Sequence, residues 1–398
     1  MAAAAAFKVD GGFMERQQRI APWVCEEHLQ LQDMARGFFD AELAPNIARW
    51  CKQGAVDRDF WCKAGELGLL GASVPEQFGG SGGDHGHDMV IFREQGRSGD
   101  ANWGLSVHSI VTHYLVNFAS QDQKQRWLPK MVTGEFVGAI AMTEPGAGSD
   151  LKAIRTTAIK EGDNYVVNGS KTFITNGQTA DLIVIVAKTE PSAGHKGVSL
   201  VILDETETPG FRRGRNLEKV GLKGQDTSEL FFDDVRIPQA NLLGAEEGQG
   251  FYQLMKELAY ERTIIGVKAL GNCELAISET LRYVKDRKAF DKRLMDFQNT
   301  RFKLAECQAQ LEVLRAFVDR CITDMLAGKL DGPTAAILKY WSSEAQGKIM
   351  DECLQLFGGY GYMMEYPIAR LYIDARVSRI LGGTSEIQKE IIARSLDS

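Results

Sequence analysis

The chain has 398 residues, of which 44% are hydrophobic and 25% charged, and its formal net charge is −7. This balance is typical of globular proteins and excludes wholesale disorder, a collagen-like repeat and a membrane-embedded fold. It gives no support for a nucleic-acid partner, because proteins that bind nucleic acids carry basic patches. Seven cysteines without a C-x-x-C pair predict free thiols in a reducing compartment. The 41 glycines exceed the usual ~7% and indicate backbone that approaches a ligand closely.

The first residues lack the basic and apolar regions of a secretory signal and the Arg- and Ser-rich composition of a transit peptide. We expect residues 1–14 to form a disordered tail. The expected location is the cytoplasm of a bacterium, or the mitochondrial matrix if a transit peptide has been removed.

The first predicted domain, residues 15–137, is helical. Apolar residues recur at three- and four-residue spacing in His28–Leu43 and Asp57–Leu67, which is typical of amphipathic helices. A glycine-rich loop, Phe78–Asp84, interrupts this pattern.

Two short patterns around this loop have alternative interpretations. Gly79–Gly83 formally matches the G-x-S-x-G nucleophile elbow, but that motif needs a strand before it and a helix directly after it. Asp84–Asp88 carries two Asp and two His that could bind a metal, although no distant ligand is visible in the sequence. We therefore predict a plain loop and no metal site.

The second predicted domain, residues 138–243, consists of short β-type runs separated by turn residues. This spacing predicts a compact antiparallel β domain or small barrel. The runs are Asn164–Asn168, Leu182–Ala187, Val198–Leu203 and Glu229–Ile237. Long helical patterns return in the third predicted domain, residues 244–398, where Asp331–Pro333 marks the end of one helix and the start of the next. The fold class is therefore α+β with several domains.

Two stretches of the middle domain have features of a cofactor site. Gly138–Asp150 leaves an apolar strand and enters a loop with hydroxyls at Thr143 and Ser149, which offers donors to a planar polar ligand or a phosphate. An ordinary β-turn would explain the loop alone equally well. Further on, Phe173 and Thr175 are two residues apart, so a strand would point both to the same face. An aromatic beside a hydroxyl suits a flat heteroaromatic cofactor.

Together these stretches resemble the acyl-CoA dehydrogenase family, and three motifs of the third domain strengthen the match: Tyr283–Phe290, Gln355–Tyr362 and Gly382–Gln388. The motifs occur in the family's order over nearly the whole chain. The similarity is greatest to the long-chain members, on Met255–Arg262 among other segments. The resemblance implies the family's three-domain fold, with a four-helix bundle as the C-terminal domain.

The resemblance also implies non-covalently bound FAD. Thr143 is expected to bind the flavin ring, Ser149 the FAD phosphate or CoA, and Phe173 and Thr175 the isoalloxazine face and its N5 edge. A neighbouring subunit's FAD adenylate would be held by Arg287 and others, which implies at least a dimer and usually a dimer of dimers. The expected FAD-binding residues are Ile140, Ala141, Met142, Thr143, Ser149, Phe173, Ile174, Thr175, Arg287, Phe290, Gln298, Gln355, Leu356, Phe357, Gly358, Gly359, Thr384, Ser385 and Glu386.

The catalytic base follows from a missing carboxylate. Many family members carry a Glu where this chain has Gly382, and long-chain and isovaleryl-type members instead carry a Glu just before an Arg on a C-terminal helix. Here that residue is Glu261, followed by Arg262. A plain surface pair is the alternative, since neighbouring charges on helices usually are one. Glu144 and Glu386 are rival carboxylates.

The implied reaction is α,β-dehydrogenation of a long or branched acyl-CoA to a trans-2-enoyl-CoA, with electrons passed to an electron-transferring flavoprotein. An oxygen-using relative of the same fold, such as an acyl-CoA oxidase or flavin monooxygenase, and a non-catalytic acyl-CoA-binding homologue are the alternatives. The expected substrate-binding residues are Ser149, Tyr252, Ala259, Tyr260, Arg262, Gly382 and Gly383.

Overall fold

The computed structural model describes residues 21–100, 102–205 and 211–397, so the expected tail over residues 1–14 lies outside the described part. A helical segment, a β-sheet and a second helical segment follow one another along the chain, which confirms the predicted order of domains. Within the described residues, no helix is both long enough and apolar enough to cross a lipid bilayer.

Short helices form the first segment, and residue patterns explain where they begin and end. Asp84 caps the helix His85–Arg97 by accepting hydrogen bonds from the backbone N–H of Gly86 and His87, and Ser120 caps the helix Gln121–Val132 by accepting one from Gln123. Gly79 follows a 3₁₀ turn, Glu76–Phe78, instead of a strand, so the nucleophile-elbow interpretation is excluded. The helices are α1 Glu26–Phe38, α2 Ile47–Gln53, α3 Arg58–Glu66, α4 His85–Arg97, α5 Leu105–Phe118 and α6 Gln121–Val132.

A seven-stranded sheet forms the middle segment. Its strands are β1 Gly138–Ala141, β2 Thr157–Glu161, β3 Asn164–Thr175, β4 Leu182–Lys188, β5 Val198–Asp204, β6 Arg212–Asn216 and β7 Thr227–Pro238. Antiparallel pairing dominates, as expected, but β1 and β2 run parallel to β4 because long connections separate them from it in the chain. The sheet curls, since β1 also approaches β3 and β5 approaches β7.

The last segment begins with α7, the 37-residue helix Gly250–Asp286. A small hairpin of β8 Lys288–Ala289 and β9 Lys292–Arg293 separates it from α8 Gln298–Leu326. Asp331 caps α9 Gly332–Phe357, at the predicted stop and start. Two shorter helices follow, α10 Pro367–Ala375 and α11 Ser385–Ser395.

Helices α7, α8, α9 and α11 pack together as a bundle, and α4 and α5 of the first segment pack on α7. One hydrophobic core therefore runs from the first segment into the bundle, and it contains Phe92 of α4 and Leu270 of α7. This packing brings α7 into contact with both neighbouring helices of the first segment, which matters for the candidate site.

Candidate active site

Glu261 lies on α7 where this helix packs against α5. The hydroxyl of Tyr114 donates a hydrogen bond to Glu261 Oε1 over 3.1 Å. Tyr114 is fully buried and Glu261 is half-buried, so the carboxylate sits at the edge of the core and is no exposed surface group. The interpretation of Glu261 and Arg262 as a plain surface pair does not fit this environment.

The surroundings of Glu261 favour its protonated form. Burial and the nearby carboxylate of Glu257 raise the pKa of Glu261 to about 7, although the hydrogen bond from Tyr114 and the charge of Arg262 oppose this. A carboxylate with a pKa near neutrality is a stronger base than an ordinary one and is still ionised at neutral pH in part. The local environment therefore gives Glu261 the proton affinity that a general base needs.

A second carboxylate lies one helical turn before the first. Glu257 is 5% exposed, and Asn117 Nδ2 of α5 donates to its Oε1 over 2.8 Å. Tyr114 and Asn117 are three residues apart on α5, and their partners are four apart on α7, so two parallel hydrogen bonds join the helices. The sequence analysis missed this pairing, although the i,i+4 spacing of Glu257 and Glu261 was a visible signal.

Arg262, the residue after Glu261, and Lys339 are buried cations that are close enough to affect one another. Arg262 is 5% exposed, and its Nε finds no hydrogen-bond partner within the described residues. Lys339 of α9 is fully buried and donates to the carbonyl of Gly383 over 2.5 Å. Burial and the neighbouring charge of Arg262 lower the pKa of Lys339 to about 8. An unpaired buried guanidinium is costly, which indicates a place for an anionic or strongly polar ligand group.

The loop of Gly382 and Gly383 requires glycine at both positions. Their φ angles are +63° and +90°, in the left-handed region that favours glycine. A Cβ added at Gly382 would lie 2.6 Å from Ile265 Cδ1, and Ile265 is one turn along α7 from Glu261. Gly382 therefore lies against the stretch of α7 that carries Glu261.

Both rival carboxylates have lowered pKa values, so each is a weaker base than Glu261. Glu144 accepts hydrogen bonds from the backbone N–H of Arg155 and Thr156 and from Lys171 Nζ, the last over 2.9 Å. These contacts fix the loop after β1. Glu386 is exposed in the first turn of α11, where backbone hydrogen bonds lower its pKa.

The predicted flavin-facing residues meet at the end of β3. Phe173 exposes 67% of its surface and has a φ of +60°, inside an irregularity of the β3–β7 pairing, while buried Ile174 separates it from half-buried Thr175. The backbone N–H of Thr172 donates to the carbonyl of Thr143, so the two predicted stretches are adjacent. Ile140 and Met142 are half-buried, Ala141 is buried, and Ser149 is exposed.

Most of the other predicted cofactor residues are exposed, and they lie at the end of the bundle. The guanidinium of Arg287 lies 5.5 Å from the centre of the Tyr360 ring. Phe290 is 88% exposed, and Gln298, Gln355, Gly358 and Gly359 are exposed as well. Leu356 is half-buried and Phe357 is buried. Thr384 caps α11, and Ser385 is buried with its hydroxyl donating to Glu344.

The remaining predicted substrate residues differ in how far they are exposed. Tyr252 is 62% exposed and Ala259 is half-buried. Tyr260 is 6% exposed, and its hydroxyl is shared between Asp88 Oδ2, at 3.1 Å, and Ser109, at 2.8 Å. The structure thus gives Tyr260 protein contacts in place of the expected substrate contact, because its side chain points from α7 into α4 and α5.

Comparison with known proteins shows the family to which the chain belongs. Three family models match in order: the acyl-CoA dehydrogenase N-terminal domain over residues 25–135, the middle domain over 139–235 and the C-terminal domain over 248–396. The chain belongs to the acyl-CoA dehydrogenase family, whose members are FAD-dependent flavoproteins.

Three relatives show how close the match is. The long-chain specific acyl-CoA dehydrogenase of Sus scrofa mitochondria is 48% identical over 93% of this chain and 86% of its own length. An acyl-CoA dehydrogenase of Bacillus subtilis is 39% identical over 94% and 98%. The crystal structure of an acyl-CoA dehydrogenase from Geobacillus kaustophilus superposes with a TM-score of 0.92 at 48% identity, covering 95% of this chain and 100% of the other.

The residues of this chain fit a bound flavin. An aromatic side chain that is two-thirds exposed on a backbone with positive φ is unfavourable unless a ligand covers it, and Phe173 has both properties. At Gly146, Gly148, Gly358 and Gly359, an added Cβ would meet no atom within 4 Å, so these loops border open space in which a ligand could lie.

Proposed function

We propose that this enzyme catalyses α,β-dehydrogenation of an acyl-CoA thioester to the trans-2-enoyl-CoA, with Glu261 as the general base. The observation that carries the proposal is the half-buried Glu261 carboxylate, which is bonded to Tyr114 and has a pKa raised to about 7, beside a glycine at position 382. The α-proton of a thioester is weakly acidic, so a base in a partly dry pocket is an advantage.

The residues of the candidate site have separate tasks in this proposal. Glu261 takes the α-proton on a carboxylate oxygen, and Tyr114 holds Oε1 of the same carboxylate in place. Arg262 orients the CoA thioester from its buried position beside the base. When bound, FAD accepts the β-hydrogen as a hydride. Phe173, Thr175 and Thr143 would hold its ring, and the residues around Arg287 and Gln355 would hold the adenylate of a neighbouring subunit's FAD.

A long or branched acyl chain is the substrate class that we propose. Other family members carry a carboxylate at position 382, whereas here Gly382 has no side chain and the apolar Ile265 Cδ1 lies 2.6 Å from where a Cβ would be. The Sus scrofa relative, at 48% identity, is by name specific for long chains. A series of acyl-CoA substrates of increasing length tests this: kcat/KM is expected to be highest for long or branched chains, and a maximum for short straight chains would contradict it.

Electron-transferring flavoprotein is the proposed electron acceptor, and a dimer of dimers is the proposed assembly. The exposed cofactor residues at the end of the bundle support an assembly, because a second subunit's FAD would cover them. A reducing compartment, either the bacterial cytoplasm or the mitochondrial matrix, fits the seven cysteines, all of which are described and unpaired.

Anaerobic mixing of the purified yellow protein with acyl-CoA tests the reaction class directly. We expect the flavin absorbance to bleach with the native protein and with Glu246→Gln, a control at an exposed carboxylate before α7. Glu261→Gln should retain FAD but reduce it at least ~10³-fold more slowly, the range for loss of a general base. Normal bleaching by Glu261→Gln would refute the base assignment.

The same preparation separates the alternatives. Turnover in air that yields hydrogen peroxide at the rate of flavin reduction would identify an oxidase. A colourless protein that binds acyl-CoA without reaction would identify a non-catalytic homologue. The proposal expects rapid turnover with an artificial or flavoprotein electron acceptor and little peroxide.

A further inference from the structure

Four of the six histidines of the chain lie around the segment Asp84–Asp88. They form two separate groups of three side chains that each bring ligand atoms close together. His28, Asp84 and His87 form the outer group. His85, Asp88 and His113 form the inner group, which is called the inner triad below.

Helix capping explains the outer group. Asp84 Oδ1 accepts hydrogen bonds from the backbone N–H of Gly86 and His87. His28 Nδ1 accepts from the backbone N–H of Cys25, and its Nε2 lies 3.4 Å from Asp84 Oδ1. His87 Nδ1 accepts from the backbone N–H of Asp84. The nitrogens and oxygen that face one another already have partners at the starts of α1 and α4, so this group needs no ion.

The inner triad is different, because one of its converging atoms has no partner. His85 Nδ1 is buried, has no hydrogen-bond partner in the part of the chain that the structure describes, and lies 3.8 Å from Asp88 Oδ2. That distance is too long for a hydrogen bond. His113 Nε2 lies 3.1 Å from the same oxygen. Asp88 is 7% exposed and His113 is 4% exposed, so two of the three ligands are fixed in the core.

We propose that the inner triad is a binding site for a divalent transition-metal ion, most suitably Zn²⁺. Nitrogen and carboxylate ligands each lie about 2.0–2.2 Å from zinc, so two ligands of one ion are about 3.3–3.6 Å apart at a tetrahedral angle and ~4 Å apart at wider angles. The separation of 3.8 Å lies within that range, and the separation of 3.1 Å falls slightly below its lower end, so a small outward shift of His113 would admit the ion. Two imidazoles and one carboxylate are donors that zinc accepts, and an ion would give His85 Nδ1 the partner that it lacks.

The surroundings support a bound cation. The hydroxyl of Tyr260 donates to Asp88 Oδ2 over 3.1 Å, in the way that outer hydrogen bonds orient a ligating carboxylate. Ser73 Oγ lies 3.0 Å from His113 Nε2 and adds a further polar group beside the triad. The buried carboxylate of Glu257 lies close enough to interact electrostatically with both histidines. The sequence predicted no metal here because His113 is 25 residues from Asp88, and only the packing of α5 on α4 brings it close.

Zinc binding by the FAD-loaded protein tests the proposal. The protein is treated with a chelator, freed of it, mixed with Zn²⁺ and passed through a desalting column, and bound zinc is then measured by mass spectrometry. We expect about one zinc per chain for the native protein. His85→Ala, at a half-exposed position that tolerates truncation, and the isosteric Asp88→Asn should each bind zinc at least ~100-fold more weakly.

His87→Asn, in the outer group, is the matched control and should bind zinc like the native protein. Co²⁺ added in place of zinc should give a visible absorption band that disappears in Asp88→Asn. The proposal fails if the native protein retains no zinc. It also fails if His85→Ala and Asp88→Asn bind zinc like the native protein while they keep their FAD, or if only His87→Asn loses the ion.

Discussion

The Tyr114 hydroxyl donates a hydrogen bond to Glu261 Oε1 over 3.1 Å, and this contact joins α5 to the proposed base on α7. A phenol that donates to a carboxylate stabilises the ionised form and so works against burial, which raises the pKa of Glu261. The proton affinity of the base is thus a balance between opposing neighbours, and each neighbour can be removed singly.

Tyr114→Phe should raise the pKa of Glu261 further. Loss of one hydrogen bond to a charged group, worth ~1.5–3 kcal/mol, corresponds to a rise of roughly one to two pKa units. Because catalysis requires the ionised carboxylate, the acid limb of the pH profile for flavin reduction should move to higher pH. Stopped-flow measurement of flavin reduction at saturating acyl-CoA from pH 5 to 9 gives this limb, and an unmoved limb would contradict the positioning role of Tyr114.

Glu257→Gln should move the same limb in the opposite direction. The negative charge of Glu257, one turn before the base, raises the pKa of Glu261, and glutamine removes that charge while it can still accept a hydrogen bond from Asn117. The limb is therefore expected at lower pH, with the largest change in rate on its acid side. Two variants that both only loosened the packing would shift the limb in the same direction, so opposite shifts separate the electrostatic explanation from a structural one.

The sequence led to Glu261 as the proposed base but not to its hydrogen-bond partner. Glu261 could be proposed because its neighbours along the chain match a family motif and because position 382 lacks a carboxylate. Tyr114 is 147 residues away, in a helix whose pattern indicates only an amphipathic element, and nothing local distinguishes it from other buried tyrosines. Contacts between helices that are distant in sequence depend on how whole faces pack, and one sequence does not contain that information.

The sequence did not predict the backbone irregularities either. The strand pattern predicted that Phe173 and Thr175 share a face, but not the positive φ of Phe173 or the shifted pairing between Lys171 and Ile174. The order of helical and β segments along the chain, by contrast, could be predicted well, because the periodicity of apolar residues changes clearly from helical to strand-like near Gly138. The two parallel strand pairings were not expected, since pairing direction is set by connections and not by periodicity.

The protonation of Glu261 should also make stability depend on pH. Its pKa of about 7 lies above the ordinary 4.5, so the folded state binds this proton more tightly than the unfolded chain does. The resulting stabilisation is complete below the unfolded pKa and is lost as pH rises through about 7. Glu261→Gln carries no charge, so at pH 8 its free energy of unfolding should exceed that of the native protein by ~1–2 kcal/mol, allowing for partial exposure.

Urea denaturation at pH 8 and pH 5, with equal FAD loading, measures this effect. The difference between Glu261→Gln and the native protein should be much smaller at pH 5, because Glu261 is then neutral in the folded protein and only partly ionised in the unfolded chain. Glu246→Gln, at an exposed carboxylate, should show no difference at either pH. A variant that is less stable than the native protein at pH 8 would mean that the pKa of Glu261 is not raised by the fold.

The buried pair of Lys171 and Glu144 should hold the cofactor loop together. Lys171 Nζ lies 2.9 Å from Glu144 Oε1 and also donates to the carbonyls of Met142 and Val186, and its pKa is lowered by burial to about 8. Lys171→Met leaves a buried carboxylate without its cation, which should lower the free energy of unfolding by ~3–5 kcal/mol and weaken FAD retention. The double variant with Glu144→Gln should recover most of this loss, because it removes the unpaired charge. Chemical denaturation and the flavin-to-protein absorbance ratio measure both effects, and equal losses in the single and double variants would show that Lys171 acts through packing alone.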